Sequence, residues 1–327
     1  MRVAAIDCGT NSIRLLIADV DEHGRLTDVV REMMIVRLGE GVDRTGSLAP
    51  QAIERTRAAL ARYSDAIAAH AVDRVRMVAT SATRDASNRA DFAAMVRAEL
   101  AVEPDVISGA EEANLSFTGA VSGLRSLPGP LLVVDIGGGS TEIVLGDGGE
   151  LRSHSMDIGC VRMTERHLRN DPPTAAQIAD TVADIRAAIA DAARDVPITK
   201  AATFVGVAGT VTTLAGIALD LDHYDPAAIH GSVLSAEQVH VVTARLLQMT
   251  HAQRAAVPVM HPGRVDVIGG GALVLQALVE ESGAAEVIVS EHDILDGIAL
   301  SLRCQLVVIG ACGFGIGPTP LFHRRCA

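Results

Sequence analysis

The chain has 327 residues and a formal net charge of −12, and 49% of its residues are hydrophobic although only 2% are aromatic. This length supports two cores of ordinary domain size, which aliphatic side chains must fill almost alone. The acidic balance argues against nucleic acid as the main ligand. The single lysine, Lys200, does not follow the glycines of a Walker A loop, so that phosphate-binding motif is excluded.

The first predicted element is a β-hairpin with a phosphate-type turn. An apolar run at 2–6 leads to Asp7, a turn of small residues follows at 9–12, and a second apolar run covers 13–18. Glycine supplies the positive φ that such turns need, and β-branched residues flank it. The turn leaves backbone N–H groups free for a phosphate, and Asp7 can hold a divalent cation against that phosphate.

The elements that follow lead to a lobe boundary. Ser108 and Glu111 form a capping box, which begins a helix that continues to Val121. The segment 124–130 contains glycine and two prolines, so it predicts a boundary between a first lobe (1–125) and a second lobe (126–303). The earlier predicted elements are a β-rich opening to about Ile35, a helix after Pro50, a strand at Arg74–Ala79, a helix from about Asn88 to Leu100 and a short strand ending at Ile107.

The second half of the chain repeats the hairpin. Asp135 follows Asp7 by 128 residues, a glycine-rich turn covers 137–140, and apolar residues return at 143–145. Two such turns predict two similar lobes that face one polyphosphate group across a cleft. The later predicted elements are a helix capped by Thr174, a strand-to-helix ligand turn at Val205–Thr210, a helix capped by Ser235, and a strand that ends at a helix start within Val267–Gly271.

Two adjacent glutamates at the lobe junction are the candidates for acid–base catalysis. Glu111 occupies the third position of its helix, where a capping role is as well supported as a catalytic one. Glu112 is rotated by about 100° around the helix and has no capping duty. Its carboxylate can therefore accept a proton from water that attacks a terminal phosphorus. A solvated acid on the helix surface is the alternative for Glu112.

Three further acids are the candidate metal ligands. Hydrolysis of a phosphoanhydride needs positioning and charge neutralisation, which Mg²⁺, backbone amides and arginines supply. Asp7 and Asp135 end strands beside the two turns, and Glu142 lies just across the second hairpin. We therefore expect Mg²⁺ as the cofactor, held by Asp7, Asp135 and Glu142.

Because lysine is nearly absent, any cationic phosphate contact must come from arginine or metal. Arg14, Arg84 and Arg264 are the candidates, although Arg14 could instead pair with a surface acid and Arg264 with Asp266. The complete set of predicted phosphate-binding residues is Gly9, Thr10, Asn11, Ser12, Arg14, Arg84, Gly137, Gly138, Gly139, Ser140, Thr141, Gly209, Thr210 and Arg264.

These motifs resemble a known family. The duplicated turns are similar to the phosphate-1 and phosphate-2 loops of the actin, Hsp70 and sugar-kinase superfamily. Their particular residues resemble the exopolyphosphatase and guanosine-pentaphosphate phosphohydrolase (Ppx/GppA) family, in a short two-domain form, over about residues 1–303. The segments that carry this resemblance are 7–12, 37–43, 79–88, 107–113, 135–142, 208–210 and 261–266.

The resemblance implies a fold and residue roles. It implies an α/β fold of duplicated ribonuclease-H-like lobes with an inter-lobe cleft, and a homodimer. It also implies that Glu112, the second acid of the glutamate pair, is the catalytic base. It strengthens Glu142 as a metal ligand, and it favours Arg84 and Arg264 as phosphate contacts more than Arg14.

The expected function is Mg²⁺-dependent release of the terminal phosphate of inorganic polyphosphate. The nearest alternative is release of the 5′ γ-phosphate of guanosine pentaphosphate, which needs the same chemistry and a nucleoside contact. An ATP-dependent small-molecule kinase and a non-enzymatic actin-like nucleotide switch would also use such turns, but the glutamate pair favours hydrolysis over both. Longer family members carry an additional helical module, so we expect this shorter chain to prefer short polyphosphate.

The expected location is the cytoplasm. The five cysteines are scattered without a metal-binding spacing, which suits a reducing compartment. The N-terminus reaches Asp7 too early for a signal peptide. The apolar stretch 306–322 contains glycine and proline, which favours a loop or tail over a membrane span. The tail at 304–327 departs from the family pattern and has no assigned role.

Overall fold

The computed structural model of the protein describes residues 1–124, 127–147 and 149–304. Two mixed β-sheets organise this part of the chain, and helices cover both of them. Among the helices of the described residues, none has the length and apolar character that crossing a bilayer requires. The expectations for 305–327, including the loop or tail at 306–322, lie outside the described residues.

The first sheet has five strands in the order β3-β2-β1-β4-β5. The strands are β1 (Arg2–Cys8), β2 (Ser12–Val20), β3 (Leu26–Ile35), β4 (Arg74–Ala79) and β5 (Asp105–Val106). The first three form an antiparallel meander, and β4 and β5 continue the sheet in parallel with β1. Strand β1 is buried from Val3 to Cys8 because it is central and covered on both faces.

The second sheet repeats this topology with one added strand. Its strands are β6 (Leu131–Ile136), β7 (Thr141–Asp147), β8 (Glu150–Met156), β9 (Thr203–Val207), β10 (Val233–Ser235) and β11 (Glu286–Val289). Their order is β10-β11-β9-β6-β7-β8, in which β8-β7-β6-β9-β11 matches the five strands of the first sheet. The predicted duplicated α/β fold is therefore confirmed.

The helices follow most of the predicted signals. Thr174 and Ser235 both make complete capping boxes, as expected. The helices are α1 (Val42–Thr45), α2 (Pro50–Ala69), α3 (Ser81–Asp85), α4 (Arg89–Leu100), α5 (Gly109–Ser122), α6 (Cys160–His167), α7 (Ala175–Ala192), α8 (Ala208–Ala218), α9 (Pro226–Ile229), α10 (Ala236–Gln248), α11 (His251–Ala255), α12 (Ile268–Ser282) and α13 (Ile294–Cys304).

Two local predictions were wrong. The segment Val267–Gly271 is not the end of a strand, because Val267 caps α12 and the helix begins at Ile268. A short run of apolar residues is compatible with both a buried strand and a buried helix, so the sequence pattern of this segment did not distinguish them. The capping box at Ser108 is only half formed. Its hydroxyl accepts from the Glu111 N–H at 3.2 Å, but the Glu111 carboxylate accepts from Arg76 at 2.8 Å instead of reaching back.

Helices α5 and α13 pack against each other between the two sheets. Ala120 of α5 lies in a cluster with Val133, Val205 and Val207 of the second sheet. Helix α13 falls in the sequence range of the second lobe, yet it packs on the first sheet, where Ile298 contacts a cluster of β1, β2 and β4 residues. These helices therefore join the sheets to one another.

Glycines allow the two helices to approach backbone to backbone. A Cβ atom built on Gly119 would lie 1.7 Å from the carbonyl oxygen of Asp293, and one built on Gly297 would lie 1.9 Å from that of Leu115. These distances are far below any real contact, and the obstructing atoms are main-chain atoms that cannot rotate away. The crossing therefore requires glycine at both positions.

We expect Gly119→Ala to lower the free energy of unfolding by at least about 2 kcal/mol, which corresponds to about 4–8 °C in Tm. The matched control is Gly269→Ala in α12, where the nearest obstruction is a flexible leucine side chain at 3.3 Å. That change should be neutral or stabilising, because alanine is the better helix former. Thermal unfolding by circular dichroism measures both, and equal Tm values for the two variants would contradict the crossing.

Candidate active site

The two phosphate-type turns have the same geometry. In each, a four-residue turn follows the strand and ends at a serine. The N–H of the glycine that begins the turn donates to the carbonyl of this serine, from Gly9 to Ser12 and from Gly137 to Ser140, and both hydrogen bonds are 3.0 Å long. Within the described residues, five N–H groups of these turns donate no hydrogen bond. They belong to Thr10, Asn11, Gly138, Gly139 and Ser140. Unpaired N–H groups of this kind form an anion-binding concavity.

The turns also touch each other. A Cβ atom on Gly138 would lie 2.9 Å from Cβ of Thr10, and one on Gly139 would lie 2.6 Å from the Ser81 hydroxyl oxygen. The hydroxyls of Thr10 and Ser81 are hydrogen-bonded at 3.0 Å. Glycine is therefore required for the two lobes to meet at this point, and the turns together form one wall of a cleft.

Equal register in the two hairpins places different side chains at equivalent positions. Asp7 is opposite Arg14 in the first hairpin, and Asp135 is opposite Glu142 in the second. The first lobe therefore carries an acid and its own cation, whereas the second carries two acids.

Glu112 lies in the cleft at the start of α5 and is only 7% exposed. Burial, aided by the nearby carboxylates of Asp135 and Asp7, raises its pKa to about 7 against the opposing effect of Arg84. Arg84 Nη1 donates to Glu112 Oε2 at 3.0 Å. The Glu112 carboxylate is thus held in one orientation and titrates near neutral pH.

Two more acids of the second lobe are buried beside it. Burial raises the pKa of Asp135 to about 7, although Asp135 accepts a hydrogen bond from the Ser116 hydroxyl. Glu142 is 2% exposed and accepts from the Ser155 hydroxyl at 2.7 Å. Burial and then repulsion from Glu112 and Asp135 raise its pKa well above the ordinary value. Asp135 and Glu142 form no direct ion pair among the described residues, and the effect of Arg14 on Asp135 only partly offsets the rise in its pKa.

Arg14 is bound by carboxylates on both sides. Its Nε and Nη2 donate to the same oxygen, Asp7 Oδ2, at 3.0 and 2.6 Å, while Nη1 donates to Asp293. Arg14 therefore pairs with two buried acids, Asp7 and Asp293, and not with a surface acid, which was the predicted alternative.

Arg264 has no carboxylate partner among the described residues. It contacts the Thr213 hydroxyl at 3.2 Å and packs over Gly209, where a Cβ atom would lie 2.2 Å from its Nη2. The expected alternative, pairing with Asp266, was wrong, because Asp266 pairs with Arg37 at 2.7 Å and with His251. Arg264 therefore keeps its charge free for an anion.

The turn beneath Arg264 is strained. Ala208 has φ of 68°, in the left-handed region that residues other than glycine seldom adopt. The backbone of Gly209 and Thr210 then starts α8 at the cleft. Strain of this kind collects at functional sites.

Most of the predicted site residues line one cleft of about 760 Å³ that is open to solvent. Those that line it are Asp7, Gly9, Thr10, Asn11, Ser12, Arg14, Glu112, Asp135, Gly137, Gly138, Ser140, Glu142, Gly209, Thr210 and Arg264.

Four predicted residues do not line the cleft. Glu111 points to Arg76 outside it, and Arg84 binds Glu112 from behind. The Thr141 hydroxyl donates to the Ile158 carbonyl at 2.6 Å, which turns it into the second lobe. Gly139 packs against Thr10 and Ser81 of the first lobe. Each has a structural partner that the sequence pattern did not reveal.

Sequence reasoning also missed several partners of the site. Ser116, Ser155 and Asp293 hold Asp135, Glu142 and Arg14, and each belongs to a different element from its partner, 19, 13 and 279 residues away along the chain. Ser81 lies inside the segment 79–88, so it could have been selected there. The other three carried no local signal.

The residues fit a divalent cation that also binds substrate. Five buried carboxylates (Asp7, Glu112, Asp135, Glu142 and Asp293) outnumber three arginines (Arg14, Arg84 and Arg264), so the site would carry a net negative charge if all five were ionised. Asp7 Oδ1 is buried without a hydrogen-bond partner. No three acidic, histidine or cysteine side chains of the described residues converge on one point. Mg²⁺ suits such a site, because it is usually held by one or two carboxylates with water and phosphate oxygens.

The chain is similar to known proteins in sequence and in overall structure. The sequence profile of the Ppx/GppA phosphatase family matches residues 16–304. Exopolyphosphatase 2 of Mycobacterium tuberculosis is 54% identical over 313 residues, which cover 92% of this chain and 98% of that protein. A solved exopolyphosphatase-like protein is 45% identical with a TM-score of 0.89, covering 94% and 100% of the two chains. The Aquifex aeolicus member of the Ppx/GppA family is 31% identical with a TM-score of 0.78, covering 94% and 98%.

We expect millimolar MgCl₂ to raise Tm more at about pH 8 than at about pH 6. Because the pKa values of Glu112 and Asp135 are raised to about 7, the folded state keeps protons that the unfolded chain loses from about pH 4 upward. Stability therefore falls as pH rises from about 4 to about 7, and above pH 7 the folded state carries both buried charges in full. A cation then replaces the lost protons.

Differential scanning fluorimetry in buffers of matched ionic strength measures the Tm shift. The control variant is Asp135→Asn, in which the extra shift at the higher pH should shrink. An equal Mg²⁺ shift at both pH values, or an equal shift in the variant, would contradict a cation at these carboxylates.

Proposed function

The chain belongs to the Ppx/GppA phosphatase family, and we propose that it is an exopolyphosphatase that hydrolyses the terminal phosphoanhydride bond of inorganic polyphosphate in the cleft between its two sheets. The observation that carries this proposal is Glu112. It is a buried carboxylate in the wall of a phosphate-binding cleft, and its pKa is raised to about 7. A base with that pKa accepts a proton efficiently at physiological pH.

The terminal phosphate would bind against the free N–H groups of the two turns. Arg264, which lacks a carboxylate partner among the described residues, would bind the next phosphate. Water placed between Glu112 and the terminal phosphorus then loses its proton to the carboxylate as its oxygen attacks. The bridging P–O bond breaks, so orthophosphate and a polymer shorter by one phosphate are released. Arg84 keeps Glu112 Oε2 fixed, and Oε1 accepts the proton.

A cofactor is part of the proposal. Asp135 and Glu142, with the unpaired Oδ1 of Asp7, would hold Mg²⁺, and the ion would neutralise charge on the phosphate oxygens. The excess of carboxylates over arginines supports this, because a polyanion would otherwise be repelled.

Compartment and assembly extend the proposal. The family resemblance supports a homodimer as part of this proposal. The scattered cysteines support a cytoplasmic location. Cys8 and Cys160 are free and buried, which suits a reducing environment.

Hydrolysis fits the site better than phosphoryl transfer to a second substrate. The base Glu112 has the carboxylates of Asp135, Glu142 and Asp7 near it, and these suit a cation and water better than a second organic substrate. A kinase needs room for its acceptor beside the base. A nucleotide switch needs no base at all.

A second candidate substrate is guanosine pentaphosphate, favoured by a cavity that adjoins the cleft. Arg14, Met33, Gly209 and Arg264 line both spaces. The adjoining cavity, of about 990 Å³ including open solvent, is lined by apolar and aromatic residues and by the acids Glu32, Glu291 and Asp293 as well as by arginines. The apolar and aromatic residues include Pro258, Val259, Met260, Leu295 and Tyr224. Such a surface suits an organic group attached to the phosphates more than a continuing polyanion.

The same cavity supports a preference for short polyphosphate. Of the arginines that line it, Arg14 and Arg31 are already paired with carboxylates, and Arg264 is the one left for an anion among the described residues. A long polymer would therefore find few cations beyond the first phosphates.

Glu112→Gln should lower kcat for phosphate release by about 10²–10⁴-fold with little change in KM, because the amide keeps the volume but cannot take the proton.

In the wild type, kcat/KM should rise about tenfold per pH unit and level off above about pH 7, where Glu112 is deprotonated. Mg²⁺ should move that midpoint to lower pH. Phosphate release from tripolyphosphate, long polyphosphate, guanosine pentaphosphate and ATP measures all of these.

The matched control is Glu111→Gln, which changes the neighbouring acid outside the cleft and should retain activity within about threefold. Loss of turnover in Glu111→Gln with normal turnover in Glu112→Gln would show that the base is the other glutamate. Fastest hydrolysis of guanosine pentaphosphate would favour the second candidate substrate.

Arg264→Gln should raise KM by about 10–100-fold for every polymer length, because it removes a charge-assisted contact close to the cleaved end. The control is Arg186→Gln, which removes an exposed arginine paired with Glu280 far from the cleft.

Wild-type enzyme should release phosphate from long polymer distributively, so intermediate lengths should be visible on a gel. If long polymer is degraded without intermediates and with a higher kcat/KM than short polymer, this result would contradict the preference for short polyphosphate.

A further inference from the structure

Asp293 is a buried acid outside the predicted site that contacts it through Arg14. It is 4% exposed, it caps α13 by accepting from the Leu295 N–H at 3.0 Å, and its Oδ2 accepts from Arg14 Nη1. Its main chain is fixed from two directions. Its N–H donates to Asp296 at 3.0 Å, and its carbonyl packs on Gly119 at the helix crossing. The Asp293 carboxylate is therefore a rigid anchor.

Arg14 binds Asp7 in an incomplete way. Arginine and carboxylate usually pair as a fork, in which two N–H groups meet two separate oxygens. Here Nε and Nη2 both donate to Asp7 Oδ2, at 3.0 and 2.6 Å, and Asp7 Oδ1 is buried with no partner. A buried carboxylate oxygen without a partner is costly unless something else binds it.

Asp293 explains this arrangement. Because Nη1 is held by Asp293, the guanidinium cannot rotate in its plane to bring a second N–H to Asp7 Oδ1. Asp7 lines the cleft beside Asp135 and Glu142, so its free oxygen is available to a cation there. The charge of Asp293 also favours a cation in the cleft, because it adds to the negative potential at Asp7 and Asp135.

We propose that Asp293 is a positioning residue that holds Arg14 away from Asp7 Oδ1 and thereby keeps that oxygen free to bind the divalent cation. The inference rests on the proposed cation site in the cleft. Asp293 does not line the cleft, so it acts on the cation site through Arg14.

Direct binding of Mn²⁺, followed by electron paramagnetic resonance without substrate, tests the proposal. Asp293→Asn should weaken Mn²⁺ binding by about tenfold or more, because Arg14 can then fork onto Asp7. The asparagine keeps the shape and can still cap α13. If that variant fails to fold, Asp293→Ser, which also caps a helix, replaces it. The half-saturating Mg²⁺ concentration for phosphate release should rise in parallel.

Asp296→Asn is the matched control. Asp296 is also fully buried in the same segment and also pairs with an arginine, Arg31 at 2.6 Å, which makes no hydrogen bond or ion pair to Asp7 among the described residues. Asp296 also accepts from the Asp293 N–H, and the amide oxygen of asparagine can keep that hydrogen bond. This variant should lose stability while Mn²⁺ affinity stays within about twofold.

A double variant separates position from charge. Lysine at position 14 keeps the positive charge but cannot form a fork. Arg14→Lys combined with Asp293→Asn should therefore recover most of the Mn²⁺ affinity lost in Asp293→Asn alone. Affinity that stays low in the double variant, or that falls equally in Asp296→Asn, would overturn the positioning role. Absence of Mn²⁺ binding to the wild type would instead overturn the cation site itself, and this inference with it.

Discussion

The excess of buried carboxylates over arginines at the cleft is the constraint on which the rest of the site depends. Carboxylates from both lobes lie near one another where a polyanion is to bind, and fewer arginines lie beside them. Burial raises the pKa of Glu112 and Asp135 to about 7, so these acids ionise only near neutral pH. A bound cation would favour their ionised forms and would also attract the phosphate.

The site is asymmetric although the two lobes share one topology. The two hairpins share their turn length, their turn hydrogen bond and their register. At one pair of equivalent positions the first lobe has Arg14 and the second has Glu142. The first lobe therefore pairs its aspartate with its own arginine, and the second leaves Asp135 and Glu142 without a paired cation among the described residues. Two turns of one geometry thus carry complementary side chains.

Local signals made the fold and much of the cleft predictable. Asp7 and Asp135 precede small-residue turns, and such turns have few alternative conformations. The sequence could not show which partner holds a side chain when that partner lies outside the local motif. Arg84 binds Glu112, which lines the cleft, and the Thr141 hydroxyl donates to the Ile158 carbonyl. Asp293 reaches Arg14 across 279 residues, so no pattern in the sequence could have identified it.

The proposed mechanism depends above all on a cation between the carboxylates of the second hairpin and the bound phosphate. An anomalous difference map from crystals of Glu112→Gln soaked with Mn²⁺ and tripolyphosphate would locate that cation. We expect a manganese peak in the cleft, about 2.0–2.4 Å from an oxygen of Asp135 or Glu142 and also from a phosphate oxygen. Well-ordered tripolyphosphate against the two turns, with no manganese between it and those acids, would contradict this mechanism.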